Sequence, residues 1–146
     1  MAAVDYFLKL DGIDGDSADK GHEKWIEVLS YSWGVTQTGT IGGGGGGGAG
    51  KANFQDFHFA ANFSKASPQL FKSCATGQHI KMATLIGRNN RTREDFETIK
   101  LADVLISSYS SGGAAGDSLP VDQFSLNFAK IDFNDVSFDV RENTAG

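Results

Sequence analysis

Gln37-Thr38-Gly39-Thr40-Ile41, an unbroken run from Gly42 to Gly48, then Ala49-Gly50-Lys51: this stretch divides the chain. Consecutive glycines hold neither helix nor strand, because each loses the most backbone freedom on ordering and buries no side chain. The segments on both sides read as strands. Residues 37–51 are therefore an extended Gly-rich loop leaving a sheet. Such an arm gains an ordered shape only by lying against something outside its own domain.

Immediately before it, Trp25 to Val35 is the longest strand signal. Trp25, Leu29, Tyr31, Trp33 and Val35 share one side, with Glu27 the exception; the other side holds Ile26 and Val28, then Ser30, Ser32 and Gly34. Alternation of period two predicts a strand. Its first half is expected to be buried on both sides, its second half to show a small polar face to water. Immediately after the arm, Ala52 to Ala60 resumes as an aromatic strand in which Phe54 and Phe57 differ in parity, so a bulge or two-sided burial is expected.

Farther out, Val4 to Leu10 alternates, with Val4, Tyr6, Leu8 and Leu10 on one side and Asp5, Phe7 and Lys9 on the other. Asp11-Gly12 and Asp14-Gly15 then bring turn chemistry, and the polar run to Lys24 reads as a loop. The helix signal covers about 67–76: Ser67 as N-cap, Pro68 at the first helical position and Gly77 after the end, with Leu70, Phe71, Cys74 and Ala75 on one side. His79 to Arg88 is a strand ending in a turn at Asn89-Asn90, and Phe96 to Ser107 is another. Ser111 to Gly116 reads as a flexible connection. Gln123 to Lys130 alternates well, and Val136, Phe138 and Val140 close the chain as a short strand. The expectation is one mainly β domain over 1–146: a closed barrel or two-sheet sandwich of about seven to eight strands, with one short helix and the protruding loop.

Composition narrows the function. A formal charge of −5 and a pI near 5.0 argue against nucleic acid, whose partners present a basic face. A single cysteine, Cys74, leaves no intrachain disulfide and suits a reducing compartment. The start, Met1-Ala2-Ala3-Val4-Asp5-Tyr6, lacks a signal peptide's basic region and apolar run. No apolar segment approaches the ~20 residues that span a bilayer, so membrane insertion is not expected.

Several chemical motifs fail on context. Gly45 to Lys51 has the G-x-x-x-x-G-K spacing, but Ala52 stands where a P-loop needs a Ser or Thr for Mg²⁺. A strand follows it instead of a helix, so no helix N-terminus faces an anion. Asp11, Asp14, Asp16, Asp19 and Glu23 look like a calcium loop. Counted from Asp14, however, the fifth position is Ala18 and the sixth Asp19, where ligand and glycine belong. His22, His58, His79 and Cys74 have no metal-ligand spacing, and Cys74 sits on the apolar side of the helix as a small hydrophobe. No base and orienter accompany a nucleophile. The Trp25, Tyr31 and Trp33 stripe reads as core before it reads as a sugar or base platform. No catalytic, cofactor-binding or metal residues are assigned, and no enzyme activity is expected. Two classes remain. One is a self-assembling structural protein whose arm bridges to a neighbour. The other is a soluble small-molecule or carbohydrate binder with a mobile Gly-rich lid.

Motifs in order along nearly the whole chain decide between them. Phe7-Leu8-Lys9-Leu10-Asp11-Gly12-Ile13-Asp14-Gly15-Asp16-Ser17 strongly resembles the opening of the haemolysin-coregulated protein (Hcp) family. Glu27-Val28-Leu29-Ser30-Tyr31-Ser32-Trp33-Gly34 and the Gly-rich loop closed by Gly50-Lys51-Ala52 are similar to that family too. So are Gln55-Asp56-Phe57, Ser67-Pro68, Cys74-Ala75-Thr76-Gly77-Gln78-His79 and Ser125-Leu126-Asn127-Phe128-Ala129-Lys130-Ile131. From Asp132 to Gly146 the chain is abbreviated against longer members.

The resemblance implies the inner-tube subunit of the type VI secretion system. Hexameric rings would stack into a hollow tube inside contractile sheath subunits, capped by a spike protein, with small effector proteins in the lumen. Such proteins assemble in the cytoplasm and leave without a signal peptide. Under that reading Gln37, Thr38, Gly39, Thr40, Ile41, Gly42, Gly48, Gly50 and Lys51 belong to a ring-stacking loop. Ser30, Ser32, Gly34, Gln123, Ser125 and Asn127 would line the lumen and contact effectors.

Overall fold

The computed structural model describes residues 3–39, 50–116 and 118–146. In chain order the elements are β1 (Val4–Leu10), β2 (Ile26–Ser32), β3 (Val35–Gln37), β4 (Ala52–Phe54) and β5 (Phe57–Asn62). Helix α1 (Ser67–Thr76) follows, then β6 (His79–Asn89), β7 (Asp95–Gly112), β8 (Val121–Phe133), β9 (Val136–Asp139) and β10 (Thr144–Ala145). Antiparallel pairing runs β8-β5-β2-β1-β6-β7, and β7 pairs again with β8. Six strands therefore close a barrel, which removes the free edges an open sheet would leave. β9 and β10 extend β8 outside the closure, while β3 and β4 form a separate two-stranded ribbon.

Inward alternation fills the barrel. Leu8, Leu10, Ile26, Phe57, Phe59, Leu70, Ile99, Val104, Ile106, Phe124 and Leu126 are buried in one cluster. Its centre is a run of rings: Trp33 stacks on Phe57 at 5.0 Å, Phe57 on Phe59 at 6.0 Å and Phe59 on Phe124 at 5.3 Å. Each such buried ring contributes roughly 1.5–3 kcal/mol by leaving water.

Two strands depart from simple alternation. Val28 pairs with Ala61 and Ser30 with Ala60, so Leu29 is the extra residue of a bulge. The bulge moves the inward set from Ile26 and Val28 to Tyr31 and Trp33, and leaves Leu29 55% exposed. This corrects the expected single stripe through Trp25, Leu29, Tyr31 and Trp33. Trp25 lies outside β2, half-buried, with its ring edge-on to His22 at 4.9 Å. Tyr31 and Trp33 do pack on the core. Similarly, the parity change at Phe54 and Phe57 is a break between β4 and β5, not a bulge within one strand.

The helix ends as expected, with Gly77 at φ 68° in the left-handed conformation that favours glycine. Its start and face differ. Ala66 is the N-cap, without a side-chain cap, and the buried residues are Ser67, Leu70 and Ser73, whereas Phe71 is 60% exposed and Ala75 is also outside. Ser67 is drawn inward because its hydroxyl donates to the buried Asp122 carboxylate. Tyr109 donates to the other Asp122 oxygen at 2.8 Å. β7 also runs farther than alternation suggested: Ser111 and Gly112 pair with Asp122 and Val121 instead of beginning a flexible connection.

A candidate interaction face and loop stem

Directly paired residues of antiparallel strands point to the same side of a sheet. The registers therefore assemble two outward rows. Ser30, Ala60, Gln123 and Ser110 form one, and Ser32, His58, Ser125 and Ser108 form the next. β2, β5, β8 and β7 each contribute a small or uncharged residue to each row, with His58 as the exception. Four of the residues singled out for the lumen, Ser30, Ser32, Gln123 and Ser125, fall together here. The inward partners of the same strands, Phe57, Phe59, Phe124 and Leu126, are buried core, which holds the face rigid.

The remaining details separate these residues. Ser30, Ser32 and Gln123 are exposed. Ser125 is only 2% exposed, since its hydroxyl is shared with Ser107 at 2.7 Å and Ser108 at 2.5 Å. A register shift between Ile106 and Ser108 puts both β7 hydroxyls beside it. Asn127 is exposed and donates to Asp56 at 3.0 Å; Ser107 donates to the other oxygen of Asp56 at 2.6 Å. Asp56 is thereby bound down at the end of the face. Gly34 lies apart, between β2 and β3, where its carbonyl accepts the Gln55 N–H at 2.9 Å.

The described part of the Gly-rich loop is its stem. Val35, Thr36 and Gln37 pair with Phe54, Asn53 and Ala52. Thr38 continues the ribbon: its hydroxyl donates to the Lys51 carbonyl at 2.9 Å and accepts the Lys51 N–H at 3.0 Å. The Gly39 N–H donates to Gln37 Oε1 at 3.0 Å. Gly39 and Gly50 approach so closely that a Cβ on Gly39 would sit 2.8 Å from the Gly50 nitrogen, which is why both are glycine. From the C-terminal segment, Asn143 accepts the Ala52 N–H at 3.2 Å and braces the stem. Lys51 is exposed and leads into strand β4. Thr40, Ile41, Gly42 and Gly48 lie outside the described residues.

Elsewhere on the barrel, the outward side of β1 and β6 is covered. The 11–25 loop lays His22 flat on Phe7 with ring centroids 4.5 Å apart, and Phe7 is 3% exposed. The Arg88 guanidinium also lies over the Phe7 ring, 4.9 Å from its centroid. It grips Asp19 with two bonds, Nη1 to Oδ2 at 2.7 Å and Nη2 to Oδ1 at 3.0 Å, and reaches Asp5 at 3.0 Å. His22 Nδ1 lies 2.9 Å from the same Asp19. The Arg88 hydrogen bonds, outweighing partial burial, hold the Asp19 carboxyl down at about 2, and Asp19 in turn raises Arg88. Asp19, one of the residues of the calcium-like run, is thus occupied by arginine. At another place inside the rim, Tyr31 donates to Glu97; burial, then that carboxylate, pushes the phenol up. Burial followed by the Asp122 bond does the same to Tyr109.

Sequence reading missed the Arg88, Asp122 and Glu97 contacts. Arg88 is 69 residues from Asp19 and 83 from Asp5, so no local spacing could pair them. An arginine inside an otherwise apolar strand was the available signal.

A six-stranded antiparallel closure with a bare, mostly uncharged outward face and a ribbon-stemmed Gly-rich loop defines the class as a closed β-barrel. Residues 7–134 match the family described as "Type VI secretion system effector, Hcp". The chain is 40% identical over 131 residues to the protein hcp1 of Pseudomonas aeruginosa, covering 88% of this chain and 81% of that protein. The crystal structure of Hcp1 from Salmonella typhimurium superposes with a TM-score of 0.86 at 30% identity, covering 99% of this chain and 100% of that one. A crystal structure of a type VI secretion system effector from Yersinia pestis gives a TM-score of 0.75 at 32% identity, covering 88% of each chain. The chain belongs to the Hcp family of type VI secretion proteins. Among the described residues, no helix is long and apolar enough to cross a membrane.

Proposed function

We propose that this chain is the structural subunit of the type VI secretion inner tube. Copies close into a hexameric ring, rings stack into a hollow tube, and the lumen carries small effector proteins. The observation that supports this most is the outward face of β2, β5, β8 and β7: small, nearly uncharged and backed by rigid core. A small protein held weakly and released whole suits such a wall. Charged or bulky walls would bind tightly or block passage. A heterologous contact that closes makes a ring, and repetition along the axis makes a filament.

Residues 37–51 form the stacking arm in this reading, with Gln37, Thr38, Gly39, Gly50 and Lys51 as its stem and the remaining arm residues as its reach. The sheath and the spike are the tube's further partners. The protein assembles in the cytoplasm and is then secreted. Negative-stain electron microscopy of the purified protein tests the assembly: six-fold rings are expected. A monomer whose melting point rises with a small sugar would replace this reading with a ligand-binding barrel. Removing part of Gly42 to Gly48 is expected to leave rings but abolish tubes, and intact tubes from that deletion would overturn the stacking role.

A further inference from the structure

The smooth face carries one feature that a merely inert wall would not need. His58 stands in the row Ser32, His58, Ser125 and Ser108, near the middle of the four strands, and is exposed. Among the described residues its imidazole has no hydrogen-bond or ion-pair partner in the chain.

Its surroundings are almost free of charge. From β2 it faces Ser30 and Ser32, and from β8 Gln123, Ser125 and Asn127. Ser107 and Ser108 lie beyond on β7. On its own side, Asp56 is the nearby carboxylate, and both its oxygens already accept bonds from Ser107 and Asn127. The next imidazole on this side is His79 of β6, paired with Leu105, which in turn pairs with Asn127, three strands from β5. The third histidine, His22, is engaged with Asp19 under the covering loop. Histidine is the side chain whose charge ordinarily changes between pH 5 and 8. A proton on the His58 ring would turn this otherwise uncharged face cationic.

We propose that His58 is a cargo contact and that the face selects partners by charge: on acidification it takes proteins whose contacting surface carries carboxylates. This rests on the tube reading, which multiplies the effect. A ring of identical subunits presents His58 at the same height around the lumen, so a small change per subunit becomes a cationic belt. Charge complementarity supplies the occupant, since Ser, Ala and Gln neighbours neither repel nor neutralise an incoming carboxylate. Basic surfaces are disfavoured under the same conditions.

The probe is a rhodamine-labelled deca-aspartate peptide, whose carboxylates stay ionised in the range used. Binding to the full chain is measured by fluorescence anisotropy at about pH 5.5 and about pH 7.5, either side of ordinary histidine titration. Wild type is expected to bind at least about threefold more tightly at the lower pH, the scale of a few exposed charge pairs. His58→Gln should abolish the difference and His79→Gln should keep it. His58→Lys should bind equally well at both pH values. Persistence of the difference in His58→Gln, or its absence in wild type, overturns the proposal. Electron microscopy of the same samples separates the two readings. Rings without a pH difference sink the His58 role alone. A His58-dependent difference without rings sinks the tube reading and leaves a charge-selective face on a single subunit.

Discussion

The two outward sides of this barrel were given opposite treatments. The side over β1 and β6 carries Phe7 and Arg88, and these are 3% and 4% exposed, with His22 and Asp19 of the 11–25 loop laid against them. The side over β2, β5, β8 and β7 carries serines, an alanine, a glutamine and a histidine, and Ser30, Ser32 and His58 are exposed among the described residues. A large side chain on an outer face obliges the chain to supply a cover. A small polar one does not, and so remains available to something else. The contrast separates what holds the fold from what the fold presents.

The largest effect belongs to the covered side. Arg88→Ala removes a guanidinium bonded to Asp19 and Asp5 and leaves both carboxylates in a partly closed site. Breaking a buried pair by deleting one partner costs about 3–5 kcal/mol, and urea denaturation should show a loss of that size. The control is Lys130→Ala. Lys130 lies 3.7 Å from Asp139 with its side chain 56% exposed, and its loss should cost under about 1 kcal/mol. Equal losses from the two variants would show that the Arg88 contacts on the covered side stabilise no more than one exposed ion pair.

Next comes Tyr109→Phe, which deprives the buried Asp122 of one of two hydroxyl donors. An acceptor left short in the interior costs about 1–3 kcal/mol. The loss should appear as a lower melting temperature, with the helix signal falling at the same temperature as the sheet, because Ser67 ties α1 to the same carboxylate.

A smaller effect is confined to acid. The Asp19 carboxyl is lowered from 3.8 to about 2 by Arg88. A depressed folded-state pKa gives stability that is present above the unfolded value and lost as pH falls through the folded value. Wild type should therefore lose its advantage over Asp19→Asn between about pH 4 and about pH 2, the window set by those two values. Parallel stability curves for the two proteins across that window would show that the Arg88 grip contributes nothing.

These contacts also mark where the sequence stopped being legible. The β-class, the inward residues of β5 and β8 and the Gly77 end of the helix follow from period-two alternation and left-handed glycine, which are local properties. Ser30, Ser32, Gln123 and Ser125 were readable as one polar set because alternation places them opposite Tyr31, Trp33 and Phe124. Leu29 was misplaced because a bulge is a property of a strand pair, here Val28 with Ala61 and Ser30 with Ala60. The face of α1 was misjudged because Phe71 is more apolar than Ser67, yet Asp122, far along the chain, draws Ser67 inward. Arg88 sits in an apolar run, and its partners arrive from two distant segments.

The smallest expected change in stability is the most informative about the bare side. Ser32 is exposed, lies opposite His58 and makes no side-chain bond among the described residues. Ser32→Gln should change unfolding free energy by no more than about 0.5 kcal/mol, as surface substitutions usually do. It nonetheless adds a long amide to a wall whose neighbours are serine and alanine. If the face meets cargo, retention of a co-expressed small effector protein should fall while the yield of rings stays the same. Retention unchanged by Ser32→Gln would mean that this side contacts no cargo. Loss of rings together with cargo would instead make it a subunit contact. The two sides of the barrel differ in that respect: on the covered side function can fail only through unfolding, whereas on the bare side it fails in a protein as stable as before.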